Sequence, residues 1–191
     1  MAGDSAPKRR RATYTDLEAV PEHLVAEIID GELITSPRPA PRHAHASSQL
    51  GMKLGGPFDL GENGPGGWVI LDAPELHLGY EPDVLVPDLA GWRRERLPRI
   101  PEDVGITVPP DWLCEVLSPS TTRIDRIRKM PIYARERVRH VWLVDPVAHT
   151  LEVFRLEGDR WVVAAVHGGD DVVRAEPFDA LALALAVLWA A

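Results

Sequence analysis

The sequence is poor in cysteine, contains no long apolar run and has fewer positive than negative charges. Cys114 is the only cysteine among 191 residues, so no intramolecular disulfide can form, and a cytoplasmic protein is the simplest expectation. No segment is apolar for long enough to predict a membrane-spanning helix, and the basic N-terminal stretch lacks the apolar core of a secretory signal. The 29 acidic against 21 basic residues give a formal net charge of −8. This balance argues against a general polyanion binder but leaves room for a local basic patch.

Several common functional motifs are also absent from the sequence. The chain has no phosphate-binding P-loop, no glycine-rich dinucleotide fingerprint and no paired cysteines that could hold zinc. His43 and His45 have a His-x-His spacing, but no third ligand accompanies them. We therefore expect both histidines to lie on the surface.

The composition is that of a globular protein, with 45% hydrophobic and 26% charged residues. The length predicts one domain over residues 14–191, preceded by a disordered polar tail over residues 1–13. "VAEIIDGELITS" predicts a β-hairpin that turns at Asp30-Gly31, and "HASSQLGMKLGG" is a candidate helix. The final "DALALALAVLWAA" fits a strand by its alternation and a helix by its length.

Most of the predicted strands lie after residue 67. Extended segments are expected in "WVILDAPELHL", "YEPDVLVPDLAGW", "DWLCEVL", "HVWLVDPVAHTLEVFRL" (two strands) and "RWVVAAVH". "STTRIDRIRKMPIYARERV" predicts a helix that Pro131 interrupts, because proline cannot donate to the carbonyl of Ile127. Its apolar spacing predicts a buried stripe of Ile124, Ile127, Pro131, Ala134 and Val138. The order of elements indicates an α/β or α+β fold.

Two carboxylates interrupt apolar strand patterns. Glu115 shares one face of its predicted strand with Leu113 and Leu117, and Asp88 stands in the apolar row of "DVLVPDLA". An ionised carboxylate in such a position is costly unless it is paired or bound to a cation. Each residue alone is equally well explained by a strand end that reaches water. The two together, on strands that could be neighbours, favour a shared Mg²⁺ or Mn²⁺ ion.

The predicted helix after Glu115 is rich in positive charge. Residues 121–140 contain seven basic and two acidic residues, a local balance of +5. Arg123, Arg126 and Arg128 are candidates for phosphate contacts, although a solvated helix face explains the same pattern. Asp125 and Lys129 are four residues apart, which by itself predicts an ordinary surface ion pair.

These residues together resemble a known group of nucleases. Pro87-Asp88 on one strand, Glu115 on the next and a nearby lysine resemble the PD-(D/E)XK nuclease superfamily. More closely, the chain resembles the bacterial restriction-endonuclease-like family often labelled Uma-two. The stretches that carry this resemblance are "EIIDGELI", "VLVPDLAGW", "EVLSPST", "DRIRKMPIYARERV" and "HVWLVDP".

The resemblance implies a restriction-endonuclease-like core. Its mixed central sheet would be flanked by helices, with an N-terminal hairpin and extra C-terminal strands. It also implies an Mg²⁺ or Mn²⁺ ion held by Asp88, Glu115 and the main-chain carbonyl of Val116. Glu32 is the best candidate for an additional acidic residue.

The chain departs from the superfamily signature at its lysine. The signature places a lysine two residues after the glutamate, where this chain has Leu117. Members of the Uma-two family show the same displacement, and Lys129 is the candidate replacement. Lys129 would orient or activate the attacking water, or stabilise charge on the phosphate.

The implied function is that of a divalent-metal-dependent endonuclease that hydrolyses DNA, and a homodimer is an expectation from the same resemblance. The alternative is a catalytically inactive nuclease-fold module that binds nucleic acid or a protein partner. The acidic net charge and the missing Glu-x-Lys spacing favour the alternative, whereas Asp88, Glu115 and Lys129 favour the enzyme. An RNA substrate is a third possibility.

Overall fold

The chain forms thirteen short strands and five helices within residues 10–189, which are the residues described by the structure, a computed structural model. The strands are β1 Leu24–Ile29, β2 Glu32–Pro37, β3 Trp68–Asp72, β4 Glu75–Leu78, β5 Asp83–Leu85, β6 Leu89–Arg93, β7 Gly105–Ile106, β8 Trp112–Val116, β9 His140–Asp145, β10 Thr150–Glu157, β11 Arg160–Gly168, β12 Val172–Val173 and β13 Leu183–Ala184. The helices are α1 Tyr14–Glu18, α2 Pro41–Leu54, α3 Thr122–Ile124, α4 Met130–Arg135 and α5 Ala186–Trp189, with π-helical turns at Gly55–Leu60 and Asp125–Lys129. None of the helices between residues 10 and 189 has the length and apolar character needed to cross a membrane.

The first sheet begins with the predicted N-terminal hairpin. Its strand order is β2-β1-β5-β4-β7, and β1 pairs with β2 in antiparallel register. Asp30 and Gly31 form the turn with φ angles of 53° and 77°. Both lie in the left-handed region that a two-residue hairpin turn requires, which explains the Asp-Gly pair. The predicted hairpin is confirmed.

The second sheet is mixed, as predicted. Its order is β11-β10-β9-β8-β6-β3, in which β8 runs parallel to β9 and antiparallel to β6. Strand β8 is buried on both faces, so that Trp112 and Cys114 pack in one core cluster and Leu113 in the other. Glu115 therefore shares a face with Leu113, and Cys114 points to the opposite face, as the alternation predicted.

The chain changes sheets immediately before Asp88. Strand β5 ends at Leu85 in the first sheet and β6 begins at Leu89 in the second, so residues 86–88 form the crossing. Proline lacks an N–H group and cannot continue a ladder from the middle of a sheet, which fits the position of Pro87. Asp88 thus precedes a strand and does not stand within an apolar strand row, and that expectation was wrong.

The predicted helical stripe was wrong at two of its five positions. Ile127 is 62% exposed and Pro131 is exposed, whereas Asp125 and Lys129 are buried. The cause is the π-helical turn, in which Met130 N–H donates to the Asp125 carbonyl five residues earlier. A π-turn holds more residues than an α-turn, so side chains beyond it face different directions from those on an ideal α-helix.

Short elements lie near both described ends of the chain. The closing segment contains both structures that its pattern allowed, the short strand β13 followed by α5. Of the predicted tail, residues 1–9 lie outside the described residues. Ala12 N–H donates to the Gly31 carbonyl at 2.8 Å, and Thr13 caps α1. The boundaries of tail and domain stay predictions.

Candidate active site

A cleft of about 1020 Å³ lies where residues from both sheets, α2 and the Asp125–Lys129 turn meet. Its lining includes Glu27, His43, Asp88, Glu115, Asp125 and Lys129. Asp88, Glu115 and Lys129 were the predicted catalytic residues, and they come from three separate parts of the chain. The fold thus brings all three to one cleft.

Lys129 is the centre of a buried ionic cluster. Its Nζ lies 2.9 Å from Glu27 Oε1, 3.2 Å from Asp125 Oδ1 and 3.3 Å from Glu115 Oε1. All four side chains are at most 7% exposed. The π-turn explains the contact between Lys129 and Asp125, because it directs both side chains into the protein. The predicted neighbour relationship of this pair is confirmed, but its predicted surface position was wrong.

The pKa values of the cluster follow from burial and from its excess of acids. Burial disfavours the charged form of Lys129, but the neighbouring carboxylates outweigh burial and hold its pKa well above the usual value. Burial raises the pKa of Glu115 well above its usual range, and the ammonium of Lys129 offsets only part of that effect. Burial likewise raises the pKa of Asp125. Lys129 is therefore a cation at neutral pH, and three carboxyl groups share its single positive charge.

Tyr133 adds a hydrogen bond from the next turn of the helix. Its hydroxyl donates to Glu115 Oε1 at 2.5 Å. Burial and the nearby Glu115 raise the pKa of this phenol well above its usual value, so the hydroxyl keeps its proton. Tyr133 and Lys129 therefore both donate to the same carboxylate oxygen and fix the position of the Glu115 side chain.

The Asp88 side chain lies beside the end of β8, where Val116 and His43 contact its two carboxylate oxygens. The Val116 N–H donates to Asp88 Oδ2 at 2.7 Å, and His43 Nε2 lies 3.4 Å from Asp88 Oδ1. Leu89 is paired with Cys114, which places Asp88 beside the strand residues that carry Glu115 and Val116. His43 was expected on the surface, but its side chain is only 11% exposed. That expectation was wrong, because the first turn of α2 packs against the sheet crossing.

Glu27 is an acid of the cleft that the sequence analysis missed. Its Oε1 accepts hydrogen bonds from Val86 N–H at 2.8 Å and from Lys129. The signal for Glu27 was present in "LVAEII", where a single carboxylate interrupts an apolar strand, as Glu115 does. Glu32 does not join the cluster, because it lies beyond the hairpin turn and pairs with Arg128 at 2.6 Å.

Two of the three candidate phosphate contacts are engaged in ion pairs. Arg126 pairs with Glu152, and Arg128 pairs with Glu32. Arg123 is exposed on α3, two residues after the cleft residue Thr121.

The cleft lining is strongly acidic. Of the described residues that line the cleft, nine are Asp or Glu, and two are basic, Arg38 and Lys129. Proline and aliphatic side chains form much of the remaining wall. A polyanion would meet repulsion here unless additional cations reduced the negative potential.

The donor groups fit a divalent cation in their chemistry. Within residues 10–189, no three His, Cys, Asp or Glu side chains already converge as a ligand set. Asp88 and Glu115 nevertheless line the same cleft and supply the hard oxygen donors that Mg²⁺ and Mn²⁺ prefer. The buried acids exceed the buried cations around them, and a divalent ion would balance that excess.

Comparisons with known proteins agree with this description. A family model described as "Uma2: Putative restriction endonuclease" matches residues 11–187. The chain is similar to a crystal structure described as "a putative nuclease belonging to DUF820 from Anabaena variabilis". The TM-score is 0.71 at 22% sequence identity, covering 93% of this chain and 97% of the other. At that identity, the structural likeness establishes the fold. No curated protein matches the chain.

Proposed function

This chain belongs to the Uma2 family of restriction-endonuclease-like proteins, and from that premise we propose that it is a divalent-metal-dependent endonuclease that hydrolyses DNA. The observation that carries the proposal is the meeting of Asp88, Glu115 and Lys129 at one cleft. Glu115 is in direct contact with Lys129, at 3.3 Å. Carboxylates that can hold a metal ion and a cation that stabilises developing negative charge suit the metal-dependent hydrolysis of a phosphodiester.

Asp88 and Glu115 would hold Mg²⁺ or Mn²⁺, together with the main-chain carbonyl of Val116. When bound, such an ion supplies an acidified water and neutralises charge that develops on the phosphate. The hydrogen bond from Val116 N–H to Asp88 Oδ2 orients the first carboxylate. Tyr133 and Lys129 orient the second through Glu115 Oε1.

Lys129 acts as a fixed positive charge and does not act as a base. Its raised pKa keeps it protonated, so it cannot accept a proton from water at neutral pH. A buried ammonium beside the scissile phosphate stabilises the additional negative charge of the transition state. Glu27 and Asp125 also contact the ammonium and help to hold it in place.

The acidic lining supports a requirement for metal ions in substrate binding as well as in chemistry. With nine acidic residues around it, the cleft repels a phosphate backbone unless cations neutralise part of the charge. Arg123, and Arg126 and Arg128 after exchange of their present partners, are the proposed phosphate contacts outside the cleft. A homodimer would add a second copy of these contacts.

The test is a plasmid-nicking assay with Mg²⁺ or Mn²⁺ on the full chain and on two isosteric variants, Asp88→Asn and Glu115→Gln. We expect cleavage by the wild type and loss of cleavage in both variants. Asp72→Asn is the matched control, because Asp72 is exposed and lines the same cleft without contacting the cluster. Cleavage that survives both changes would contradict the assignment.

The same acidic and apolar lining favours one alternative, a nuclease-fold module that binds a partner without cutting. In that case, no nucleic acid is cleaved under any metal condition, and RNA in the same assay stays intact as well. Calorimetric Mn²⁺ binding that both variants lose would then identify a metal site without catalysis.

A further inference from the structure

We propose that His43 is a third side-chain ligand of the divalent ion, which makes the site a mixed nitrogen and oxygen site that favours Mn²⁺ over Mg²⁺. The inference rests on the proposed metal-dependent function and adds to it a ligand and a metal preference. His43 lies in the first turn of α2, and its side chain lines the cleft beside Asp88.

The distance between His43 and Asp88 fits two ligands of one ion. Nε2 and Oδ1 are 3.4 Å apart, whereas a charge-assisted hydrogen bond between such groups is about 2.7–2.9 Å long. Two donors that each lie about 2.1 Å from one ion, at a right angle, are about 3.0 Å apart. A small opening of that angle reaches the observed separation.

The imidazole is also incompletely satisfied. Within residues 10–189, His43 Nδ1 is buried and has no hydrogen-bond partner. Such atoms are rare in native proteins, and a water or an ion often completes them. Rotation of the ring by half a turn about Cβ–Cγ exchanges Nδ1 with Cδ2 and Nε2 with Cε1, and so changes the direction in which each nitrogen points.

The local charge favours a cation at this position. Asp88 Oδ1 lies 3.4 Å from His43 Nε2, and the cleft around them is lined by nine acidic and two basic residues. A cation beside Asp88 would reduce this local excess of negative charge, with neutral His43 as its ligand.

The nitrogen donor determines the metal preference. Mg²⁺ is bound by oxygen ligands and keeps several waters, whereas imidazole is a common ligand of transition metals. Mn²⁺ accepts both carboxylate oxygen and imidazole nitrogen. Loss of His43 should therefore weaken Mn²⁺ binding more than Mg²⁺ binding.

The test is Mn²⁺ binding to the full chain, followed by calorimetry and by pulsed electron paramagnetic resonance, which detects nitrogen bound directly to the ion. We expect a ¹⁴N coupling in the wild type that becomes a ¹⁵N coupling when histidine is ¹⁵N-labelled. His43→Ala should remove the coupling and weaken Mn²⁺ binding by about 10–100-fold. His45→Ala is the control, because His45 lies on the same helix and contacts the Val187 carbonyl at 3.2 Å.

The outcomes separate this inference from the proposed function. Mn²⁺ that binds without a histidine nitrogen coupling, and that Asp88→Asn displaces, would overturn the ligand role of His43 and leave the proposed function intact. A coupling without DNA cleavage would support the ligand role and contradict the nuclease. No binding of Mn²⁺ or Mg²⁺ would contradict both. The labelled wild type decides the question even if His43→Ala does not fold.

Discussion

Lys129 Nζ lies 2.9 Å from Glu27 Oε1, and both side chains are almost completely buried. The contact joins the N-terminal hairpin sheet to the π-turn that follows β8. Glu27 also accepts the Val86 N–H in the crossing between the sheets, two residues before Asp88. One carboxylate therefore positions both the lysine and the segment that carries the first proposed metal ligand.

Replacing Lys129 with methionine should destabilise the fold strongly. The change leaves Glu27, Glu115 and Asp125 buried without their cation, and removing one partner of a buried ion pair costs about 3–5 kcal/mol. Urea unfolding without divalent ions measures the free energy of unfolding. Arg128→Met is the neighbouring control, since its pair with Glu32 is more exposed and such pairs contribute about 0–1 kcal/mol. Equal effects of the two changes would show that the ionic cluster does not stabilise the fold.

Tyr133→Phe should lower the free energy of unfolding by about 1.5–3 kcal/mol, the usual contribution of a hydrogen bond to a charged group. The change removes the hydroxyl that donates to Glu115 Oε1 and leaves the ring in place. Tyr80→Phe provides the control, because Tyr80 is fully exposed. An unchanged unfolding midpoint in Tyr133→Phe would mean that water replaces this hydroxyl without cost.

Glu27→Gln should reduce cleavage by about 10–100-fold, as changes in residues that orient metal ligands do. Glutamine can still accept from Val86 N–H, but it no longer balances the charge of Lys129. Glu32→Gln, on the same hairpin but outside the cleft, should leave cleavage unchanged. Comparison of initial nicking rates decides between the two acids, and a larger effect at Glu32 would restore the assignment suggested by the sequence.

The sequence predicted the local geometry around the proposed site residues better than their surroundings. The position of Glu115 followed from strand alternation, which depends only on local geometry, and the hairpin followed from the left-handed turn at Asp30-Gly31. The burial of Asp125 and Lys129 did not follow, because an ideal helix wheel contains no π-turn. Glu27 was overlooked, although it interrupts an apolar strand sequence as Glu115 does. Its burial is explained by the ion pair with Lys129, which is distant in the chain.

The ion pairs of Arg126 and Arg128 could likewise not be predicted from the sequence. Arg126 pairs with Glu152 on β10, and Arg128 pairs with Glu32 on β2. Only the arrangement of the sheets brings these acidic residues close to the arginines. The local excess of positive charge at residues 121–140 is therefore partly neutralised in the fold.

Arg123→Ala should weaken DNA binding more than Arg126→Ala does. Arg123 is exposed, whereas Arg126 must first leave Glu152 before it can contact a phosphate. Each lost phosphate contact lowers the slope of log K against log salt by about 0.9 for duplex DNA. Binding is measured by fluorescence anisotropy over a salt series in the Asp88→Asn background, in which we expect no cleavage. Identical salt slopes for the Arg123 variant and its parent would contradict the proposed contact.

The stability of the protein should depend on His140 below neutral pH. Burial lowers the pKa of this imidazole in the folded protein, and the opposing charge of Glu176 offsets only part of the effect. Because the unfolded chain then binds a proton more readily than the folded one, the contribution of His140 is fully present above the unfolded pKa of about 6.5. It is lost as the pH falls through the lower, folded pKa. The free energy of unfolding of the wild type should therefore decline between pH 7.5 and pH 5.5 more steeply than that of His140→Gln, which cannot titrate. His23→Gln, at an exposed position, should keep the wild-type slope, and parallel curves for all three proteins would show that His140 titrates equally in both states.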